Sequence, residues 1–146
     1  MMKLITDRTQ ADAERARVLK AKGWAAMTEE ERAEWSAGLK GAYDYTDLNR
    51  VEAAVAELAG RLGLPLTVKT DWTDQDAPRS TELERYLGNV RALRSVCSGL
   101  ASTPEAPADM RNLDYKKANA IEQILADIEI AMGTWAYCGD AVCGGV

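Results

Sequence analysis

The chain has 146 residues, 47% of them hydrophobic and 28% charged, and its 23 acidic residues against 18 basic ones give a net charge of −5. This size fits one globular domain, and the negative charge disfavours binding to nucleic acid or to anionic lipid. No apolar run reaches the roughly 18 residues that a bilayer span requires, and the opening apolar segment turns polar at Thr6, too early for a secretory signal. We therefore expect a soluble chain made in the cytoplasm, with neither nucleic acid nor membrane as a partner.

The cysteines Cys97, Cys138 and Cys143 are an odd set, which predicts free thiols in a chain without an export signal. Two alternatives stay open: Cys138 and Cys143 could pair with each other, or they could supply two ligands of a zinc site. The sequence has no histidine and no second close cysteine pair, so a tetrahedral zinc site would lack two ligands. We expect neither a metal nor a cofactor.

Two short helices are predicted in the N-terminal part. The first begins at Thr6 or Asp7 and runs to about Lys22, with a weak apolar stripe that places it at the periphery. A capping box over residues 28–31 opens the second helix. This helix ends at one of two glycines, Gly38 or Gly41.

The third helix is predicted to begin after Asp44, whose carboxylate is a good N-cap, with Tyr43 placed to pack on Leu48. Its apolar residues are spaced alternately by three and four, which aligns them in one stripe for helix packing: Leu48, Val51, Val55, Leu58 and Leu62. Gly63 ends it.

Residues 64–72 alternate between apolar and polar types, which predicts an extended strand or strap, although no second strand is available for pairing. A capping box over residues 81–84 then opens a fourth helix that ends near Gly99. Its stripe has the same spacing: Leu83, Tyr86 or Leu87, Val90, Leu93 and Cys97.

The segment 101–112 contains Pro104 and Pro107 and is predicted to be a connection without helix, whereas a fifth helix runs from Asp114 to about Tyr137. Three long helices with matching stripes predict an all-α fold with an antiparallel three-helix bundle core, two shorter N-terminal helices and one extended strap. The single domain spans 1–146, with peripheral helices in 1–42, the core in 43–137 and a flexible tail in 138–146.

A pattern of Asp-Tyr, then Asn, then Glu occurs twice, 70 positions apart, at the starts of the third and fifth helices. The first copy contains Asn49 and Glu52, and the second contains Asn119 and Glu122. Such residues could form polar sites, but helix-start chemistry or a crossing loop accounts for them structurally. We interpret the two copies as equivalent helix starts of one bundle.

No catalytic constellation is visible. The sequence lacks histidine, a glycine-rich phosphate loop and a nucleophile elbow, and its carboxylates fall mostly at helix starts and turns. We therefore predict a protein that is not an enzyme. Against this stands the hypothesis of a hydrolase of cell-wall glycan, which would need two acids roughly 5 to 10 Å apart in a cleft.

All nine aromatic residues are Trp or Tyr, and side chains of this kind are typical of interfaces where one ring edge stays wet. Trp72 ends the extended segment and is the leading candidate for a partner anchor; the structural alternative is a lid over the bundle. The predicted partner-binding residues are Trp72, Asp71, Val68, Trp24 and Tyr137.

The segments 43–52, 69–73, 84–87 and 118–122, and more broadly residues 5–137, resemble a family of small helical proteins or N-terminal segments. Members are encoded among the tail and baseplate genes of phages and prophages of Gram-positive bacteria. The resemblance implies a virion structural or adaptor protein, assembled in the host cytoplasm, whose partners are other virion or tail proteins or further copies of itself. Residues 66–72 could contribute by strand addition to a partner sheet. The alternative is a free cytoplasmic interaction or regulatory module of phage origin.

Overall fold

The computed structural model describes residues 2–97 and 100–138, the last five of these by backbone alone. The described part is all-α and contains no strand. Its elements are α1 (Gln10–Lys22), a 3-10 turn (Trp24–Ala26), α2 (Glu29–Ala37), α3 (Tyr45–Leu62), α4 (Ser80–Val96) and α5 (Tyr115–Cys138). None of the described helices combines the length and the apolar character needed to cross a bilayer.

Helix starts follow local side-chain chemistry, and most agree with the prediction. The Asp44 carboxylate accepts the Thr46 amide at the start of α3, and the Asp114 carboxylate accepts the Lys117 amide at the start of α5. The predicted box at Thr28 is present, since Thr28 and Glu31 exchange hydrogen bonds. These carboxylates and hydroxyls satisfy amides that a helix leaves without partners in its first turn.

Two predicted helix starts are wrong. The first helix begins at Gln10 with Thr9 as its cap, because the residues before it are extended. The fourth helix begins at Ser80, and the Arg79 amide donates to the Glu82 carboxylate. The helix therefore begins before the capping box that was predicted at 81–84.

The three long helices α3, α4 and α5 each contact the other two and share one apolar core. Its fully enclosed members include Val51, Leu58, Val90 and Leu93 of the predicted stripes, together with Ile121 and Ile124 of α5. Gly63 ends α3 with a φ of +70°, a left-handed conformation that glycine adopts without strain.

Residues 2–37 are here called the N-terminal arm, and their helical part lies beside this core. The buried apolar residues of α1 and of the turn before α2 are Ala16, Leu19 and Met27, and they are not members of the main cluster. Residues 38–44 link the arm to α3. Within this link, the backbone of Gly41 lies so close to α1 that a Cβ there would stand 2.0 Å from the Asp12 carbonyl oxygen.

The fold has two extended segments on the core, where one was predicted. Strap 1 comprises residues 2–8 and strap 2 comprises residues 66–72. In strap 2, the expected alternation is present, since Leu66 and Val68 pack on the core while Thr67 is exposed. Met2 and Leu4 do the same for strap 1.

Residues 101–112, all of them described, contain no helix, as the two prolines in this segment predicted. Cys97, at the end of α4, is disulfide-bonded, so the expectation of free thiols is wrong for this residue. Cys143 and the tail beyond Cys138 lie outside the described residues.

Candidate functional site

The second copy of the repeated pattern holds strap 1. The Asn119 side chain bonds both backbone groups of Arg8: its oxygen accepts the Arg8 amide at 3.0 Å, and its nitrogen donates to the Arg8 carbonyl at 2.9 Å. Glu122 Oε1 accepts the Ile5 amide at 2.9 Å, and Oε2 accepts Arg8 Nη2 at 2.7 Å. We call this arrangement the Glu122 site.

The first copy holds strap 2 in the same way. The Asn49 oxygen accepts the Trp72 amide at 2.8 Å, and its nitrogen donates to the Trp72 carbonyl at 2.9 Å. Glu52 Oε1 accepts the Lys69 amide at 3.0 Å, and Oε2 accepts the indole N–H of Trp72 at 2.7 Å. This is the Glu52 site.

The two sites match atom for atom. In each, an asparagine brackets the backbone of one strap residue, and a glutamate three positions later takes a strap amide and the side-chain donor of that bracketed residue. The straps also match in sequence, because Thr6-Asp7-Arg8-Thr9 and Thr70-Asp71-Trp72-Thr73 share three of four residues, 64 positions apart. The helix residues that bind a strap and the strap sequence that they bind therefore both occur twice in this chain.

An arginine from another helix completes each site. Arg50 of α3 bonds Glu122 through Nε at 2.7 Å and Nη2 at 2.9 Å, and Arg85 of α4 bonds Glu52 through Nη1 at 2.5 Å and Nη2 at 3.1 Å. Burial alone would lower the pKa of Arg50, but its bonds to Glu122 and Asp47 raise it above the usual value. The bond to Glu52 likewise raises the pKa of Arg85.

The Glu122 site contains a further buried pair. Arg8 Nη2 lies 3.1 Å from the Asp47 carboxylate as well as bonding Glu122, and the guanidinium lies over the ring of Tyr43, 5.5 Å from its centroid. The Tyr43 hydroxyl in turn bonds that of Tyr86. Burial raises the pKa of both tyrosines above its usual value.

These carboxylates are committed to structural bonds. Glu52 and Glu122 each accept four hydrogen bonds, and their relative exposures are 1% and 0%. Asp47 and Glu122 do meet at Arg8, but both are buried and paired with arginine. The geometry therefore fits strap docking better than acid–base chemistry on a substrate. Among the described residues, no group of three or more His, Cys, Asp or Glu could hold a metal ion.

An open groove of about 900 Å³ lies between the end of α2, the start of α3 and the turn after strap 2. Its aromatic walls include Trp35 and Tyr45, and its acidic residues are Asp44, Asp74 and Asp76. No lysine or arginine is among the described residues that line it. We call it the acidic groove.

Three of the five predicted partner-binding residues, Val68, Asp71 and Trp72, lie in strap 2. Trp72 is only 5% exposed and donates its indole N–H to Glu52, so its interpretation as an exposed anchor is wrong and the lid alternative fits. Val68 packs on the core, and Asp71 is exposed and paired with Lys69 at 2.8 Å, which lowers the pKa of Asp71.

Trp24 is 53% exposed, with the guanidinium of Arg32 stacked 5.3 Å from its ring centroid. The side chain of Tyr137 lies outside the described part of the chain.

The sequence analysis missed the role of three arginines, Arg8, Arg50 and Arg85. Sequence signals existed for one of them, because Arg8 stands in strap 1 where Trp72 stands in strap 2. The shared Thr-Asp-x-Thr pattern would have predicted a second strap and excluded Arg8 from a helix. Arg50 and Arg85 have no such signal, since surface helices carry many arginines and only the packing brings these two to a buried carboxylate.

No protein-family model, curated protein or solved structure matches the chain. The likeness to phage tail proteins therefore stays an expectation based on the quoted motifs.

Proposed function

We propose that this chain is a non-enzymatic adaptor protein of a phage virion, in the tail or baseplate, and that it acts by binding other virion proteins. The observation that carries the binding role is the acidic groove, in which exposed carboxylates stand beside aromatic rings. The phage setting is supported by the family resemblance alone.

The groove chemistry favours a partner segment that carries lysine or arginine. Asp44, Asp74 and Asp76 are exposed, and Tyr45 is 38% exposed with its ring available for contact. Cations are attracted both to carboxylates and to the faces of aromatic rings. An extended basic segment of a neighbouring virion protein would gain both kinds of contact in one groove.

As part of this proposal, α3, α4 and α5 form an antiparallel bundle that presents the groove rigidly at one end. The mutual contacts of the three helices and their common core support it. A rigid scaffold lowers the entropy lost when a partner segment binds.

The test is fractionation of particles made by a phage that encodes this chain. We expect the protein to co-purify with particles, and we expect a deletion to give particles that fail in assembly or infection. A protein that stays with the free cytoplasmic fraction, together with a deletion that infects normally, would support the regulatory-module alternative instead.

The groove itself is tested by Asp74→Lys combined with Tyr45→Ala, two exposed changes that leave the core intact. Glu30→Lys on the exposed start of α2 is the matched control, because it makes the same charge change outside the groove. We expect the groove variant to be lost from particles while the control is retained. Equal retention of both variants would exclude the groove as the contact.

A further inference from the structure

Each strap docks on the half of the chain to which it does not belong. The first half consists of strap 1, α1, α2 and α3, and the second consists of strap 2, α4 and α5. Strap 1 is held by Asn119 and Glu122 of α5, whereas strap 2 is held by Asn49 and Glu52 of α3. The single chain thus has the reciprocal topology of a dimer that has exchanged its straps.

The contacts at the Glu122 site do not depend on strap 1 being in the same chain. Two amides and one carbonyl of the strap, together with the Arg8 guanidinium, supply its bonds to Asn119 and Glu122. Any chain with this strap presents the same groups, and a second copy presents them identically.

The N-terminal arm is suited to leave as a unit. Its buried apolar residues Ala16, Leu19 and Met27 lie outside the main core, α1 contacts the 3-10 turn of the arm, and strap 1 packs on the core through Met2 and Leu4. The link at residues 38–44 contains Gly38, whose φ of +95° shows a backbone conformation open to glycine and rare for other residues. Link segments of this kind are where exchanging proteins change path.

We propose that the Glu122 site binds the strap 1 of a second copy of this chain, so that copies join by exchanging N-terminal arms. Exchange replaces each contact within a chain by the same contact between two chains. The closed monomer therefore prevails in dilute solution, because a strap in the same chain has an effective concentration on the order of millimolar. Crowding of copies in an assembly favours the exchanged form. The inference rests on the two strap sites, the N-terminal arm and its link, and is independent of the acidic groove.

A complementation experiment with full-length chains tests it. Arg8→Ala damages the strap and keeps the site, whereas Asn119→Ala damages the site and keeps the strap. When the two variants are mixed, arm exchange places the intact strap of the Asn119→Ala chain in the intact site of the Arg8→Ala chain. The other contact of the heterodimer then contains both defects. Because two defects in the same contact cost less together than the sum of their separate costs, the heterodimer should exceed either homodimer by about tenfold in equilibrium constant.

The two variants carry different mass tags. They are partly denatured, mixed and refolded at about 100 µM, because exchange needs a high concentration. Native mass spectrometry then counts the monomers, homodimers and heterodimers. The matched control pairs Arg8→Ala with Asn49→Ala, whose defect lies in the other site, so exchange only moves the one intact strap 1 contact from one chain to the other. We expect no heterodimer excess in this control.

Folded variants that remain monomers when mixed, or that dimerise equally alone and together, would overturn the proposal. If Arg8→Ala does not fold by circular dichroism, Arg8→Lys replaces it, since lysine keeps the charge but cannot form the same set of bonds. The same two outcomes then decide.

Discussion

The Glu122 site and the Glu52 site recognise backbone in the same way but fill the interior differently. In the Glu122 site the strap contributes Arg8, and the buried charges are Arg8 and Arg50 against Asp47 and Glu122. In the Glu52 site the strap contributes Trp72, and the charges are Arg85 against Glu52.

The two sites differ in their charges because each site balances its own. A buried ion is tolerated only with a partner of opposite sign, because removal from water costs several kcal/mol per ion. An arginine in strap 1 is accompanied by the second acid Asp47, whereas the neutral indole of Trp72 needs only its N–H bonded. The side chain at the bracketed strap position is therefore dictated by the number of acids around it.

The most disruptive test of this comparison is Trp72→Arg, which gives strap 2 the residue of strap 1. The change removes a buried tryptophan, which alone costs roughly 3 to 5 kcal/mol, and adds a second cation to the pair that Arg85 forms with Glu52. A domain of ordinary stability should then be largely unfolded. Circular dichroism and thermal melting measure it.

The matched change Trp72→Phe keeps an aromatic ring and loses the N–H that Glu52 accepts at 2.7 Å. We expect it to fold with a loss of about 1 to 3 kcal/mol, the cost of one missing partner at a buried polar group. A Trp72→Arg protein as stable as Trp72→Phe would contradict the charge-balance account.

The second test neutralises one glutamate at a time. Glu122→Gln leaves Arg8 and Arg50 with only Asp47, and the Arg8 side chain is 2% exposed, so we expect a loss of roughly 3 to 5 kcal/mol. Glu52→Gln leaves Arg85, whose side chain is 25% exposed and can be hydrated, so the loss should be smaller, at about 1 to 3 kcal/mol. Urea unfolding followed by tryptophan fluorescence compares them.

Equal losses of unfolding free energy in the two variants would show that Arg8 and Asp47 do not make the Glu122 site more sensitive to loss of its glutamate charge. The outcome separates the shared backbone recognition from the ionic part that only one site has.

The helices could be predicted from the sequence because their causes are local. Asp44 and Gly63 bound α3 through capping and a left-handed turn, and the spacing of Val51, Val55 and Leu58 already specifies the buried face. These signals act within a few residues, so one stretch of sequence contains them.

The two strap sites could be predicted only in part. A contact with a crossing loop was one structural interpretation of Asn49. The residue that Asn49 binds is Trp72, which lies 23 positions away in the sequence. Asn119 and Arg8 are 111 residues apart, and such distant pairs are determined by packing rather than by local pattern. The acidic groove likewise joins three separate segments and has no signal in any one of them.

The third test uses the tyrosine pair beside the Glu122 site. Burial raises the pKa of Tyr43 and Tyr86 above the unfolded value of about 10, so folding favours the protonated phenols. Their contribution to stability is complete below pH 10 and is lost as the pH rises from there through the folded-state values. The free energy of unfolding, measured by urea titration, should be flat near pH 9 and fall above pH 10.

Tyr43→Phe combined with Tyr86→Phe removes both titrating groups and should flatten this decline. A decline of the same steepness in the double variant would assign the alkaline sensitivity to the lysines instead.

The smallest expected effect comes from an exposed copy of the same ion pair. Arg15 bonds Glu34 through Nε at 3.0 Å and Nη2 at 2.8 Å, the same two-point geometry by which Arg50 bonds Glu122. The bond to Arg15 lowers the pKa of Glu34, yet water and salt screen a pair at the surface.

Glu34→Gln should therefore leave the urea midpoint unchanged within error, whereas Glu122→Gln lowers it clearly, because its bonds to Arg50 are enclosed and it also bonds Arg8. Repeating both titrations in 1 M salt sharpens the contrast, because screening removes what remains of the exposed pair and leaves the enclosed one largely intact. A Glu34→Gln loss as large as that of Glu122→Gln would mean that bond geometry, rather than burial, determines what these arginine–glutamate pairs contribute.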